Sequence, residues 1–232
     1  MKKILFMFWL VMFNAFSAED SLYDFSWLDQ DKKIYVLQNR KFRKNSKFYL
    51  GATGIKTISG SFIDSYGSSL KAGYFFKENW GLELVYGQNN GKTNKTFDAI
   101  DEQAAVAYYR KISNYAGAML MWSPFYAKIN TFDKIFYYDW IFGLGMGNFK
   151  TQDNRKEFGT NSSEELTSEN NSGYIWTTGF RFYISESWSL RLDITGMHYQ
   201  ALQSRQDDSN DDYTKKSWFH TYDLGIGLNY TF

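Results

Sequence analysis

The sequence predicts an all-β fold: an eight-stranded antiparallel transmembrane β-barrel, with short turns at one end and longer loops at the other. Three observations carry this. Apolar and aromatic residues recur at every second position in segment after segment, the period of a strand with one apolar and one polar face. The connections between these segments alternate in length, as they do in outer-membrane barrels. The 232 residues include 21 Phe, 18 Tyr and 8 Trp but a single proline, an aromatic load unusual for a soluble globule.

Residues 1–17 read as a secretory signal peptide. Lys2 and Lys3 supply a positive start, Ile4 to Phe13 an almost unbroken apolar run, and Ala15, Ser17 and Ala18 the small residues of a cleavage site after residue 17 or 18. The run is shorter than the roughly 20 residues of a membrane-spanning helix. Past residue 20 no apolar run reaches that length, so a mature protein that crosses a membrane must do so as a closed barrel, which satisfies its own backbone. Residues 18–46 form an N-terminal lead, and 47–232 the barrel.

Weak strand signals near 47–58 open the barrel. Leu70, Ala72, Tyr74 and Phe76 then oppose Lys71 and Gly73, and Trp80, Leu82, Leu84 and Tyr86 oppose Gly81, Glu83 and Gly87. A second weak segment lies near 113–122. Phe136, Tyr138, Trp140, Phe142 and Leu144 oppose Asp139, Gly143 and Gly145; Tyr174, Trp176, Phe180 and Phe182 oppose Thr177, Gly179 and Arg181. Trp188, Leu190, Leu192 and Ile194 oppose Ser189, Arg191, Asp193 and Thr195. The last strand is the clearest: Trp218, His220, Tyr222, Leu224, Ile226, Leu228, Tyr230 and Phe232 all fall on even positions. Lys77–Asn79 and Ser185–Ser187 read as tight turns, and a proline-containing link near 123–133 joins strands four and five. The longer polar connections lie near 59–67, 89–112, 148–171 and 201–216. Both chain ends then belong on the short-turn, periplasmic side.

A soluble lipocalin-like barrel also alternates, with its apolar face inside. Three features favour the membrane. Glycines share the polar face with charges, as a crowded eight-strand interior requires. Trp80, Trp122, Trp176, Trp188 and Trp218 fall near strand ends, where interfacial aromatics collect. The chain stops on Phe232 with Leu224, Ile226, Leu228 and Tyr230 at alternate places before it, an ending similar to the C-terminal signal that barrel-assembly machinery reads.

Several function classes are excluded by composition. There are 26 basic and 25 acidic side chains, without the basic excess of a nucleic-acid binder. With no cysteine there is no disulfide, thiol nucleophile or cysteine-ligated metal, and no lipid-modified N-terminus. No cofactor motif is present, so none is expected. The expected surroundings are outer-membrane lipid and lipopolysaccharide, with an unknown surface ligand at the loops.

The stretches Phe25-Ser26-Trp27-Leu28-Asp29, Tyr35-Val36-Leu37-Gln38-Asn39-Arg40-Lys41-Phe42-Arg43-Lys44 and Ser123-Pro124-Phe125-Tyr126-Ala127-Lys128 together resemble the outer-membrane β-barrel domain family of myxobacteria and related predatory or gliding bacteria. The likeness runs from about residue 23 to Phe232, with Ala127 in place of an expected glycine. It implies an outer-membrane barrel with a periplasmic lead, and carries no catalytic residues.

The candidate functional residues are the charges that parity sends inward: Lys71, Glu83, Asp139, Arg181, Arg191, Asp193 and Asp223. Buried, they require partners, so a lumen filled by ion pairs is expected in preference to a narrow ion path gated by their rearrangement. His198 and His220 are the only histidines; parity places both on the lipid side, away from Asp193 and Asp223, so no hydrolase set is expected. The basic run from Lys32 to Lys47 reads as a solvated lead able to contact anionic lipid. Phe97, Ile100, Ala104 and Tyr108 recur at helical spacing in the second long loop. Asp207, Asp208, Asp211 and Asp212 make an acidic fourth loop without the pattern of a calcium site.

Overall fold

The computed structural model describes residues 40–102, 107–131, 134–154, 166–202 and 216–232. The signal and lead segments before residue 40, Ala104 and the Asp207–Asp212 cluster lie outside the described residues. Eight strands form a closed ring in sequence order: β1 (Lys47–Thr57), β2 (Ile63–Phe75), β3 (Trp80–Thr93), β4 (Arg110–Thr131), β5 (Lys134–Asp153), β6 (Thr167–Tyr183), β7 (Trp188–Leu202) and β8 (Lys216–Thr231). All neighbours are antiparallel, and β1 closes on β8 from Tyr49 opposite Thr231 to Thr57 opposite Asp223. No edge strand remains, so every strand has a partner on both sides.

Facing follows the pleat. Along β1, β2, β3, β7 and β8 the odd positions turn inward and the even ones outward. Leu50, Leu70, Leu82, Leu84, Leu144 and Ile226 stand exposed on the outer wall. A soluble protein hides such residues; a continuous apolar exterior needs lipid.

The strands run further than alternation alone suggests. β2 begins at Ile63 and β3 continues to Thr93, so 59–67 is mostly strand and the true connection is 58–62. Likewise β4 starts at Arg110, β5 ends at Asp153 and β6 starts at Thr167, which shortens the connections placed at 89–112 and 148–171. These extensions are mostly polar, with only isolated apolar residues such as Ile63, Ile112 and Phe149 turned inward. Backbone pairing holds them, so they leave no apolar period to read.

Of the expected link at 123–133, residues 123–131 are also strand. Between Trp122–Phe142 and Phe125–Trp140 the register shifts, with two residues of β4 against one of β5. That is a β-bulge, and it accommodates Pro124, which has no N–H to give to a ladder. The hairpin then continues to Thr131 opposite Lys134. A consequence is that Trp122 is mid-strand, not terminal. Trp176 is too, because β6 extends nine residues before it.

The second long connection carries the one helix among the described residues, α1 (Lys95–Asp101). Asn94 caps it, its Oδ1 accepting the N–H groups of Thr96 and Phe97, both at 3.1 Å.

Candidate functional site: the barrel lumen

An eight-strand lumen has room for little but side chains, and the described side chains fill it in three tiers. The middle tier crosses the barrel. Arg191 on β7 reaches Glu83 on β3 through both terminal nitrogens, one contact at 3.1 Å and the other shorter. Its Nε lies 2.6 Å from Asp193, which also pairs closely with Lys71 of β2. Tyr49 of β1 donates a short hydrogen bond to Glu83. Glu83 and Arg191 are both fully buried.

Glycines make this tier possible. Tyr49 lies opposite Gly73, and a Cβ at residue 73 would sit 2.3 Å from the tyrosine ring. Tyr115 uses Gly87 in the same way, at 2.2 Å. Each ring lies flat across a neighbouring strand's glycine, covering backbone that would otherwise lack a side chain to pack.

Next to it, at the turn end, Arg181 lies over two adjacent aromatic rings, its guanidinium 4.6 Å from the Tyr49 ring centroid and 5.2 Å from that of Phe75. Asp139 receives Tyr183 Oη at 2.6 Å and Lys44 Nζ at 2.5 Å. Lys44 precedes β1, donates also to Ser123 Oγ at 2.7 Å, and is buried. Phe42 stacks on Tyr183 at 4.7 Å and meets the edge of Tyr137 at 5.4 Å. The expectation of a solvated lead therefore fails at Phe42 and Lys44: their side chains enter the barrel mouth, where an aromatic pocket and a buried carboxylate offset the loss of water.

At the loop end Arg110 forms the third tier. It bonds Asp153 at 2.8 Å, Glu169 at 3.1 Å, Thr151 at 3.1 Å and the Leu202 carbonyl at 2.6 Å, and lies over the Phe219 ring. Between this tier and the middle one, Asp223 accepts Thr57 Oγ1 at 2.6 Å and Asn89 Nδ2 at 3.4 Å.

All seven charges that parity sends inward are buried. Four charged members of the network were not expected: Lys44, which belongs to no strand, and Arg110, Asp153 and Glu169, which lie beyond the alternating parts of β4, β5 and β6. Apart from Arg110 and its carboxylates Asp153 and Glu169, the cations Lys44, Lys71, Arg181 and Arg191 stand with Glu83, Asp139, Asp193 and Asp223, so in that part of the lumen the cation from the lead equalises the charge count. Nor is the lumen polar throughout. Met119, Met121, Ile141, Ile175 and Met197 form part of a buried apolar cluster, at positions where β4 to β7 are apolar on both faces and alternation carries no signal.

The histidines lie on the outer face opposite one another, with Nδ1 atoms 2.6 Å apart. Trp176 Nε1 donates to His198 Nε2 at 2.7 Å, so His198 offers its Nδ1 proton to His220. The Trp176 ring reaches this place across Gly196, where a Cβ would be 2.3 Å from it. Asp193 and Asp223 point into the lumen, so neither histidine meets these carboxylates. The five tryptophans stand as follows. Trp80 stacks on Trp122 at 6.0 Å, Trp188 meets the Tyr230 edge at 5.1 Å, and Trp218 stacks on Tyr174 at 6.4 Å, while Trp176 bonds His198. On β8, Leu224, Ile226, Leu228 and Tyr230 face outward, and Phe232 N donates to the Phe48 carbonyl at 2.9 Å.

A closed ring with an apolar exterior and a charged, filled interior defines an integral membrane β-barrel. The profile described as "Outer membrane protein beta-barrel domain" matches residues 38–232, and the chain belongs to that family. It is an outer-membrane protein surrounded by outer-membrane lipid. Solved structures similar to it include the N-terminal β-barrel domain of Pseudomonas aeruginosa OprF (13% identity over 81% of this chain and 98% of that one, TM-score 0.48). Neisserial surface protein A (14%, 80% and 96%, 0.47) and the outer membrane protein OprG from Pseudomonas aeruginosa (17%, 82% and 98%, 0.46) are others. No curated protein sequence matches the chain.

Proposed function

We propose that this barrel is a non-enzymatic anchor that holds its loop end at the cell surface for envelope integrity or surface interaction. The observation that carries the reading is the sealed lumen. Ion pairs join β7 to β2 and β3 across the barrel, and Lys44 and Arg110 occupy the two ends. Opening a path would require separating buried charges, each costly without its partner. The histidines hydrogen-bond to one another and lack a lumen carboxylate, which supports the non-enzymatic part.

In this reading residues 1–17 direct export, residues 18–46 lie in the periplasm, and both termini are periplasmic. The alternating end at Leu224, Ile226, Leu228, Tyr230 and Phe232 is read by the barrel-assembly machinery. Trp80, Trp122 and Trp188 mark the inner interface and Trp176 and Trp218 the outer one, where lipopolysaccharide is the neighbour. The narrower affinity with barrels of myxobacteria and gliding bacteria rests on the stretches at 25–29, 35–44 and 123–128.

The test is single-channel recording of the refolded mature protein in a planar bilayer, with insertion checked by heat-dependent gel mobility. A silent, inserted protein is expected. Discrete openings altered by Glu83→Gln or Arg191→Gln would replace this reading with that of a narrow ion channel.

A further inference from the structure

The loop-end mouth contains a cavity of about 230 Å³, bounded by the 58–62 connection, the segment 107–111 and the adjoining ends of β7 and β8. Hydrogen bonds among the described residues fix its walls on two sides. Asn94 donates through Nδ2 to the Ser61 carbonyl and through its backbone N–H to the Phe62 carbonyl, both at 3.0 Å. Ile58 N donates to the Tyr222 carbonyl at 2.9 Å, and Tyr222 N donates to Ser59 Oγ at 3.0 Å. Opposite, buried Asn154 accepts from Tyr109 N at 2.9 Å and donates to the Ala107 carbonyl at 2.8 Å. A cavity with pre-fixed walls binds at a smaller ordering cost than one that must form around its ligand.

The lining chemistry is specific. Hydroxyls come from Thr57, Ser59, Ser61 and Thr221, and ring surfaces from Phe62, Tyr108 and Tyr109. Among the described residues two cations line the space, and no carboxylate does. Arg110 is already engaged by Asp153 and Glu169. Lys111 differs: its Nζ donates to the Gly91 carbonyl at 3.1 Å, and it forms no ion pair among the described residues. An ammonium has three donors, which leaves two for a ligand. Its stem passes over Gly91, where a Cβ would be 3.3 Å from Lys111 Cδ.

We infer that this cavity is a binding site for one acidic sugar residue, with the carboxylate on Lys111 Nζ, the ring face against the aromatic wall and hydroxyls on the serine-rich connection. This deepens the surface-interaction part of the proposed function and rests on that reading. A single cation without an ion pair among the described residues suits a monoanion, and a charged donor to a carboxylate is the strongest contact on offer. Polar walls on the 57–61 side do not suit an acyl chain, and an aromatic face suits the C–H side of a pyranose.

Methyl glucuronide titrated into the refolded full-length barrel in detergent, followed by calorimetry, tests this. Saturable binding is expected, at least tenfold tighter than for methyl glucoside. Lys111→Met should remove that preference while Lys111→Arg retains most of it, with the fold of each checked by heat-dependent gel mobility. Equal binding of the two sugars, an unchanged preference in Lys111→Met, or competition by acetate as effective as that by the glucuronide would overturn the inference. A repeat in nanodiscs with and without lipopolysaccharide identifies the source: loss of glucuronide binding only with lipopolysaccharide assigns the site to its sugars, and retention assigns it to a free acidic polysaccharide. Because no current is measured, failure here leaves the sealed-lumen reading standing, and openings in a bilayer would leave the sugar site standing.

Discussion

Glu83 and Arg191 lie on strands that do not neighbour one another, so their bond acts as a strap across the ring. Removing one partner leaves the other buried and uncompensated, at about 3–5 kcal/mol. Glu83→Gln is expected to lose about that much in urea unfolding from detergent micelles, and Glu83→Gln/Arg191→Gln less than the sum of the two single changes, since the residues are directly coupled. Equal additivity would mean that the strap carries no energy. The glycines give a second residue-level contrast. Gly73→Ala would drive a methyl into the Tyr49 ring at 2.3 Å, displacing the tyrosine from Glu83 and Arg181, at about 1–3 kcal/mol for overpacking. Gly54, by contrast, faces outward, and a Cβ there would lie 3.8 Å from its nearest neighbour, the Ile226 carbonyl oxygen. Gly54→Ala is expected to leave the unfolding midpoint unchanged or raise it slightly, under the same assay.

At the scale of elements, the central parts of β2, β3, β5, β6, β7 and β8 were legible because a lipid-facing wall enforces a strict period of two, while β1 and β4 gave only weak signals whose facing the sequence did not assign. Leu70 to Phe76, Trp80 to Tyr86 and Trp218 to Phe232 need nothing else to be read. Legibility ended where that constraint ends. Past the apolar band β3 runs through Gln88, Asn89 and Asn90 on backbone pairing, and its strand character leaves no trace in hydropathy. Pro124 suggested a break, yet a bulge absorbs it and the hairpin continues. The inward charges were legible by parity; Lys44 was not, since a residue outside any strand has no face to assign. Its position beside Asp139 makes a prediction for the segment before β1. Lys44→Met should lower stability by about 3 kcal/mol, the low end for breaking a buried pair. Lys44→Met/Asp139→Asn should recover most of the loss, because it removes the uncompensated carboxylate. The temperature at which gel mobility shifts reads both. A Lys44→Met barrel as heat-stable as the parent would show that the segment does not latch the lumen.

For the whole molecule, the outer wall defines where lipid begins and ends. Lys56 faces outward at the loop end of β1, its Nζ 5.3 Å from the Tyr66 ring, and His198 and His220 lie outward at the corresponding end of β7 and β8. Between these residues and the Trp80–Trp122 stack the outward positions are uncharged. Strands rise about 3.3 Å per residue and tilt by about 40°. Leu84, four residues above Trp80 on β3, is therefore about 10 Å into the apolar band, near the middle of a layer about 25 Å tall. Tyr66, opposite Asn90 on β3, lies about 25 Å above Trp80 and so at the far boundary. The same substitution at the two places should have unequal effects, although both side chains are more than half exposed on the outer wall. Leu84→Arg should cost about 2–4 kcal/mol in a bilayer, and Tyr66→Arg about 0–1 kcal/mol. Reversible unfolding in phospholipid vesicles measures both. Equal costs would mean that the lipid layer is not where Leu84 and its outward neighbours place it. The expected inequality follows because an arginine at the level of Lys56 reaches water and headgroups with its guanidinium, while one at Leu84 has neither within the length of its side chain.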